Sequence, residues 1–222
     1  MKESQQTPTT DQRPHCQIIK HPYLEHLLGK FRDKQTPPHE MRRIASLMTL
    51  FMGYEICREL EYQKTEVTTP FEQVESKKLA DRMVIISIMR AGNAMLEGLW
   101  PIFPEARVGH VGIFRDKQNN NSAVEYYYNL PTNIQDKDLL IVDPLFATGN
   151  TITAAVNRLK QYPIRSIRFI CFLAAREGIL KLKQAHPDVL IYALSIEREL
   201  NDKGYLIPGA GDAGDRLYGT NL

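Results

Sequence analysis

Leu139-Leu140-Ile141-Val142-Asp143-Pro144-Leu145-Phe146-Ala147-Thr148-Gly149-Asn150-Thr151 runs four apolar residues straight into a turn. Beyond it, Ile152, Ala155, Val156 and Leu159 recur at helical spacing. The stretch therefore reads as strand, turn, helix. In sheets built from such units, ligands bind at the carboxyl ends of the strands. A helix start there aims unpaired N–H groups and a positive dipole end at one point, which suits a phosphate. Gly149 lets the backbone approach closely, Thr148 and Thr151 add hydroxyl donors, and Asn150 tolerates left-handed geometry. Asp143 is placed to accept from sugar hydroxyls. The P-loop pattern fails here twice: Pro144 stands at its first glycine and Asn150 at its lysine.

The neighbouring sequence extends the same alternation. Met83–Ile88, 107–114, 123–130, 167–173 and 189–194 read as strands, with a helix near 177–185 and a long amphipathic helix over 38–61. Met41, Ile44, Leu47, Met48, Phe51 and Tyr54 carry that last pattern, and Pro37-Pro38 sit where a helix start accepts proline. The expected fold is α/β, a mostly parallel sheet flanked by helices. The tyrosine-rich segments on either side of Asn119-Asn120-Asn121 form an antiparallel β-hairpin arm. Tyr126, Tyr127 and Tyr128 suit sheet packing or a subunit contact.

The whole chain sets bounds. Its 222 residues, 43% hydrophobic and with net charge +2, describe one soluble globular domain and give no reason to expect nucleic-acid binding. Cys16, Cys57 and Cys171 are too scattered for a disulfide framework or a zinc site. Residues 1–17 read as a disordered arm ahead of a single domain over 18–222. No secretory signal or membrane span is evident, so a cytoplasmic setting is expected.

Asp143-Pro144-x-x-Ala147-Thr148-Gly149 after an apolar run resembles the substrate loop of uracil phosphoribosyltransferases, of the type I phosphoribosyltransferase family. The resemblance spans roughly 18–222. It includes Lys20-His21-Pro22, Arg90-Ala91-Gly92, Arg115-Asp116, Ala185-His186-Pro187-Asp188-Val189 and the tail Gly204-Tyr205-Leu206-Ile207-Pro208-Gly209-Ala210-Gly211-Asp212-Ala213-Gly214. That tail also satisfies GxGxxG, but it does not follow the first strand, and the sequence ends eight residues later, short of the further strand and acid that a dinucleotide fold requires. The resemblance implies a conversion of uracil and 5-phosphoribosyl 1-diphosphate to UMP and diphosphate.

The resemblance assigns the phosphoribosyl substrate to Arg90, Arg115, Asp212 and the turn Asp143, Pro144, Leu145, Phe146, Ala147, Thr148, Gly149, Asn150 and Thr151. Among these, Arg115, Asp143 and Asp212 are the catalytic candidates. Uracil falls to a C-terminal hood loop, through Leu206, Gly211, Asp212 and Ala213. Two arginines at strand ends suit a diphosphate, since a planar fork grips phosphate oxygens bidentately. Asp116, Glu125 and Asp215 read as helpers of arginines or turn caps, and His21, His110 and His186 as core or surface residues. The resemblance further implies Mg²⁺ carried on the diphosphate, a homodimer or homotetramer, and GTP as an activator. Ser87-Ile88-Met89, Asn93-Ala94, Phe146, Asn150-Thr151 and Arg176 depart from the family's usual residues. A rival is a weakened nucleotide-binding regulatory protein of the same fold; another is a transferase for a different base.

Overall fold

The computed structural model describes residues 15–116 and 122–221; the Asn119-Asn120-Asn121 turn and most of the expected arm lie outside them. The first segment is β1 (Cys16–Ile18), then α1 (Pro22–Arg32) and α2 (Pro38–Ile56). A two-stranded ribbon follows, β2 (Tyr62–Thr68) and β3 (Gln73–Leu79), leading to β4 (Met83–Met89), α3 (Asn93–Leu99), β5 (Arg107–Asp116) and β6 (Ser122–Asn129). The second half runs β7 (Asp138–Val142), β8 (Leu145–Phe146), α4 (Asn150–Leu159), β9 (Ser166–Ile170), β10 (Leu173–Ala174), α5 (Arg176–Ala185) and β11 (Leu190–Ala193). It closes with β12 (Ser195–Ile196), β13 (Glu199–Leu200), β14 (Leu206–Ile207) and α6 (Ala213–Tyr218).

Among the described residues, the main sheet is ordered β1-β11-β9-β7-β4-β5-β6, parallel except for β6, which pairs antiparallel with β5. The apolar runs of β4 and β7 are central strands covered on both faces, where no polar alternation is needed. Ile85, Leu140 and Val142 face the layer holding α1, α2, α3 and α6; Val84, Ile86, Leu139 and Ile141 face α4 and α5. The four apolar residues expected along α4 are all buried in that second layer.

Two expectations are refined. The helix expected over 38–61 is helical to Ile56 and tightens to a 3₁₀ turn at Cys57–Glu59; Leu60 is already extended. The strand expected over 167–173 divides into β9 and β10, because the Phe172 amide leaves the β9 ladder to donate to the Pro144 carbonyl at 2.9 Å. β10 then pairs with β8 and β12 in a small parallel sheet at the carboxyl end of the main one. Cys16 and Gln17, expected in the arm, pair with Ile191 and Tyr192 on β11.

Candidate functional site

The small sheet builds the floor of the site. β8 carries Leu145 and Phe146 out of β7, in register with Leu173 and Ala174, and the Ala175 amide closes onto the Phe146 carbonyl at 2.7 Å. Phe146 itself turns inward, 1% exposed, edge-on to Phe169 with ring centroids 4.9 Å apart. Pro144 is buried as well. Of these two residues, then, the backbone rather than the side chain faces the site. The bulk of Phe146 is absorbed by the core.

The chain reverses at Gly149, whose φ of 82° caps α4. That is left-handed backbone, which glycine adopts without strain. The amides of the first turn of α4 have no carbonyl partner within the helix. The Thr148 Oγ1 is buried with no hydrogen-bond partner. α5 backs the turn closely: a Cβ on Gly178 would lie 2.3 Å from the Ala147 carbonyl oxygen and 3.3 Å from the Gly149 nitrogen.

The tail approaches from the other side. Leu206, in β14, is followed by a cis Ile207–Pro208 bond and by Gly209 and Gly211 at positive φ. Asp212 caps α6, its carboxylate accepting from the Asp215 amide at 3.0 Å. Leu206, Gly211, Asp212 and Ala213 line one cavity of about 400 Å³ together with Asp143, Leu145 and Ala147. Lys203 and Tyr205 also border it. Asp143, Leu145 and Ala147 of the turn thus face the tail across one space, whereas Thr148, Gly149, Asn150 and Thr151 are not among its lining residues.

That tail is held by charges whose roles were not evident from the sequence. Glu197, 3% exposed, receives both ends of the Arg32 guanidinium at 2.6 and 2.7 Å, the Gly209 amide at 2.7 Å and the Ser195 hydroxyl at 3.0 Å. Burial pushes its carboxyl up, but the hydrogen bonds from Arg32 and Gly209 outweigh it and leave the group below the ordinary range. Arg32 also donates to the Gly209 carbonyl at 2.9 Å. Arg216 donates to the carbonyls of Ala210, Phe31 and Asp33. Glycines free to bend are thereby fixed in one shape.

Arg90, just past β4, reaches the tail helix rather than the turn. It donates to the Thr220 hydroxyl at 3.0 Å and pairs with Asp215 at 2.9 Å. The Thr220 hydroxyl and the Arg90 guanidinium hold the Asp215 carboxyl below its usual range. Asp215 therefore assists an arginine, as expected. Arg115 lies next to the end of β5, paired with Ala123 across the β-hairpin arm. Glu125 stands 4.0 Å from Arg158, and His21 caps α1 by accepting from the Tyr23 amide. A larger cavity, about 710 Å³, opens between β1, α1 and α2. Leu24, Leu50, Phe51 and Ile102 line it, and Glu59 there already accepts from Gln17 and Tyr192. It has no phosphate-type turn. The smaller cavity is the candidate site.

A family model described as uracil phosphoribosyltransferase matches residues 18–220. A protein of that name from Acidovorax ebreus (strain TPSY) is 45% identical over 204 residues, 91% of this chain and 97% of its own length. One from Legionella pneumophila (strain Lens), bearing the same name, is 44% identical over 206 residues, covering 92% and 96%. The solved structure of the AQ2163 protein from Aquifex aeolicus superposes with a TM-score of 0.87 at 30% identity, covering 91% of this chain and 97% of that one. Matched over residues 18–220 by this family model, and along nearly its whole length by these relatives, the chain belongs to the uracil phosphoribosyltransferase family.

Proposed function

We propose that the cavity between the 143–151 turn and the 204–214 tail converts uracil and 5-phosphoribosyl 1-diphosphate to UMP and diphosphate. One observation carries this assignment of roles: residues from both segments line the same space of about 400 Å³. That is within the range of small-molecule sites, roughly 300–1,000 Å³. The amides and hydroxyls of Thr148, Gly149, Asn150 and Thr151 hold the 5′-phosphate, and Asp143 the ribose hydroxyls. Leu145, Ala147 and the main chain of Pro144 and Phe146 shape the floor beneath the sugar. Backbone groups of Leu206, Gly211 and Ala213 meet the pyrimidine edge, whose two carbonyls and N–H need complementary donors and acceptors. Asp212 contacts the substrate beside them.

In the reaction a uracil ring nitrogen bonds to the anomeric carbon, the bond from that carbon to the diphosphate oxygen breaks, and the ring nitrogen's proton passes to the departing diphosphate or to solvent. No enzyme nucleophile is required. The protein orients the two substrates and stabilises the charge that develops on the leaving diphosphate. Arg115 and Arg90 serve that diphosphate; for Arg90 this means exchanging Asp215 and Thr220 for phosphate oxygens. Mg²⁺ carried by the diphosphate would neutralise part of its charge. Asp143 and Asp212, both bordering the cavity, fit the carboxylate-and-water coordination that this ion prefers. The same reading includes a homodimer or homotetramer, activation by GTP and a cytoplasmic setting. Among the described residues, no helix is long and apolar enough to cross a membrane.

Mixing the protein with Mg²⁺, phosphoribosyl diphosphate and one base at a time tests the reaction. Diphosphate release is expected with uracil and not with hypoxanthine or adenine. Release with a purine alone, or with no base tested, contradicts the proposal. Arg115→Ala should slow turnover on the order of 10²-fold or more, as loss of a donor to developing charge does. Unchanged steady-state kinetics would remove Arg115 from the site.

A further inference from the structure

The turn Asp143–Thr151 contains no basic residue, so its donors to a phosphate dianion are all neutral. A cation nevertheless stands beside it. Gly178 seats the first turn of α5 directly on the Ala147 carbonyl, and Lys181 lies three residues further along the same helix. The Lys181 Cβ would be 3.4 Å from a Cβ built on Gly149, and its ammonium donates to the Asn150 Oδ1. Lys181 is exposed and, among the described residues, has no carboxylate partner. Its charge therefore rests on a neutral amide oxygen at the first residue of α4.

We propose that Lys181 is a binding residue for the 5′-phosphate of the phosphoribosyl substrate, with Asn150 as the positioning residue that holds its ammonium at the turn. The proposal rests on residues 148–151 being the monophosphate subsite. Moving from the Asn150 oxygen to a phosphate oxygen exchanges a neutral acceptor for an anionic one, so that both partners of the hydrogen bond carry charge. The ligand class is a phosphate monoester dianion. Lys181 takes no part in leaving-group departure, which lies at the other end of the substrate. Its contribution belongs to substrate affinity, in contrast to that of Arg115.

Titration calorimetry with ribose 5-phosphate, and separately with magnesium diphosphate, tests this on the full chain. Lys181→Ala should weaken ribose 5-phosphate about tenfold, as expected for one hydrogen bond to a charged group. It should also flatten the salt dependence of that binding and leave diphosphate affinity unchanged. Lys181→Arg should recover most of the loss, and Asn150→Ala, which keeps the cation, should cost less than Lys181→Ala. Lys183→Ala, on the same exposed helix, controls for general charge. Unchanged ribose 5-phosphate affinity in Lys181→Ala overturns the proposal. So does an equal loss for both ligands, or a loss in Asn150→Ala as large as in Lys181→Ala; either means that the lysine only shapes the turn. Failure of the unmodified protein to bind ribose 5-phosphate is a different result, and overturns the phosphate reading of 148–151 itself.

Discussion

Gly178→Ala is expected to lower kcat/KM for phosphoribosyl diphosphate about 10²-fold, the cost of misplacing a reacting group by roughly an ångström. The added Cβ would sit 2.3 Å from the Ala147 carbonyl oxygen, far inside contact distance, and the atom it meets is backbone. Something must shift. One neighbour is the floor of the site, stitched by β8 to β10; the other is α5, anchored by the fully buried Leu182. Either movement displaces the amides of 148–151 relative to Asp143. The strain should also cost about 1–3 kcal/mol of stability, typical of overpacking. Steady-state kinetics with each substrate varied, alongside thermal unfolding, separates the two effects. A variant with ordinary kinetics and an ordinary melting temperature would show that α5 does not support the turn.

Glu197→Ala should be the most destabilising of these changes, by about 3–5 kcal/mol, because it leaves a partly buried guanidinium without its carboxylate. Arg32, the Gly209 amide and the Ser195 hydroxyl would all lose their shared acceptor. The tail loop that they fix should loosen, and KM for uracil should rise more than KM for phosphoribosyl diphosphate. Glu197→Gln, which keeps an acceptor but not the charge, should fall between the two. The acid dependence follows from the same pair. The Glu197 carboxyl is held below its ordinary value of 4.5, so its stabilisation is complete above that pH. It is lost as pH falls through the lower folded value. Unfolding measured from pH 6 downward should therefore show a steeper loss for the unmodified protein than for Glu197→Gln. Parallel curves would mean that the carboxylate contributes nothing by its charge.

What could be read from the residues alone follows a physical division. β4 and β7 are covered on both faces, so they appear as apolar runs without alternation, interrupted in β4 only by the buried Ser87, and α4 buries one stripe, so it appears as a period of three to four. The turn between them is local chemistry: one glycine, two threonines and an aspartate, contiguous in the chain. The β2–β3 ribbon had no such signal, because residues on both its faces are exposed and Val67, Phe71 and Val74 stand in solvent. β8, β10 and β12 are two residues each, too short to show any period. The Arg32–Glu197 clamp joins residues 165 apart, two ordinary charges until the fold brings them together. Gly178 likewise looks like any helix glycine until its neighbour across the turn is known. Arg90 was placed correctly at a strand end, yet its present partners, Asp215 and Thr220, come from the last ten residues of the chain.

A crystal structure of the protein with UMP tests the arrangement most directly. The phosphate should lie on the amides and hydroxyls of 148–151, the ribose hydroxyls on Asp143, and the pyrimidine edge on the main chain of Leu206, Gly211 and Ala213. UMP bound instead in the larger cavity between β1, α1 and α2, or with its ring at the turn and its phosphate at the tail, would contradict it.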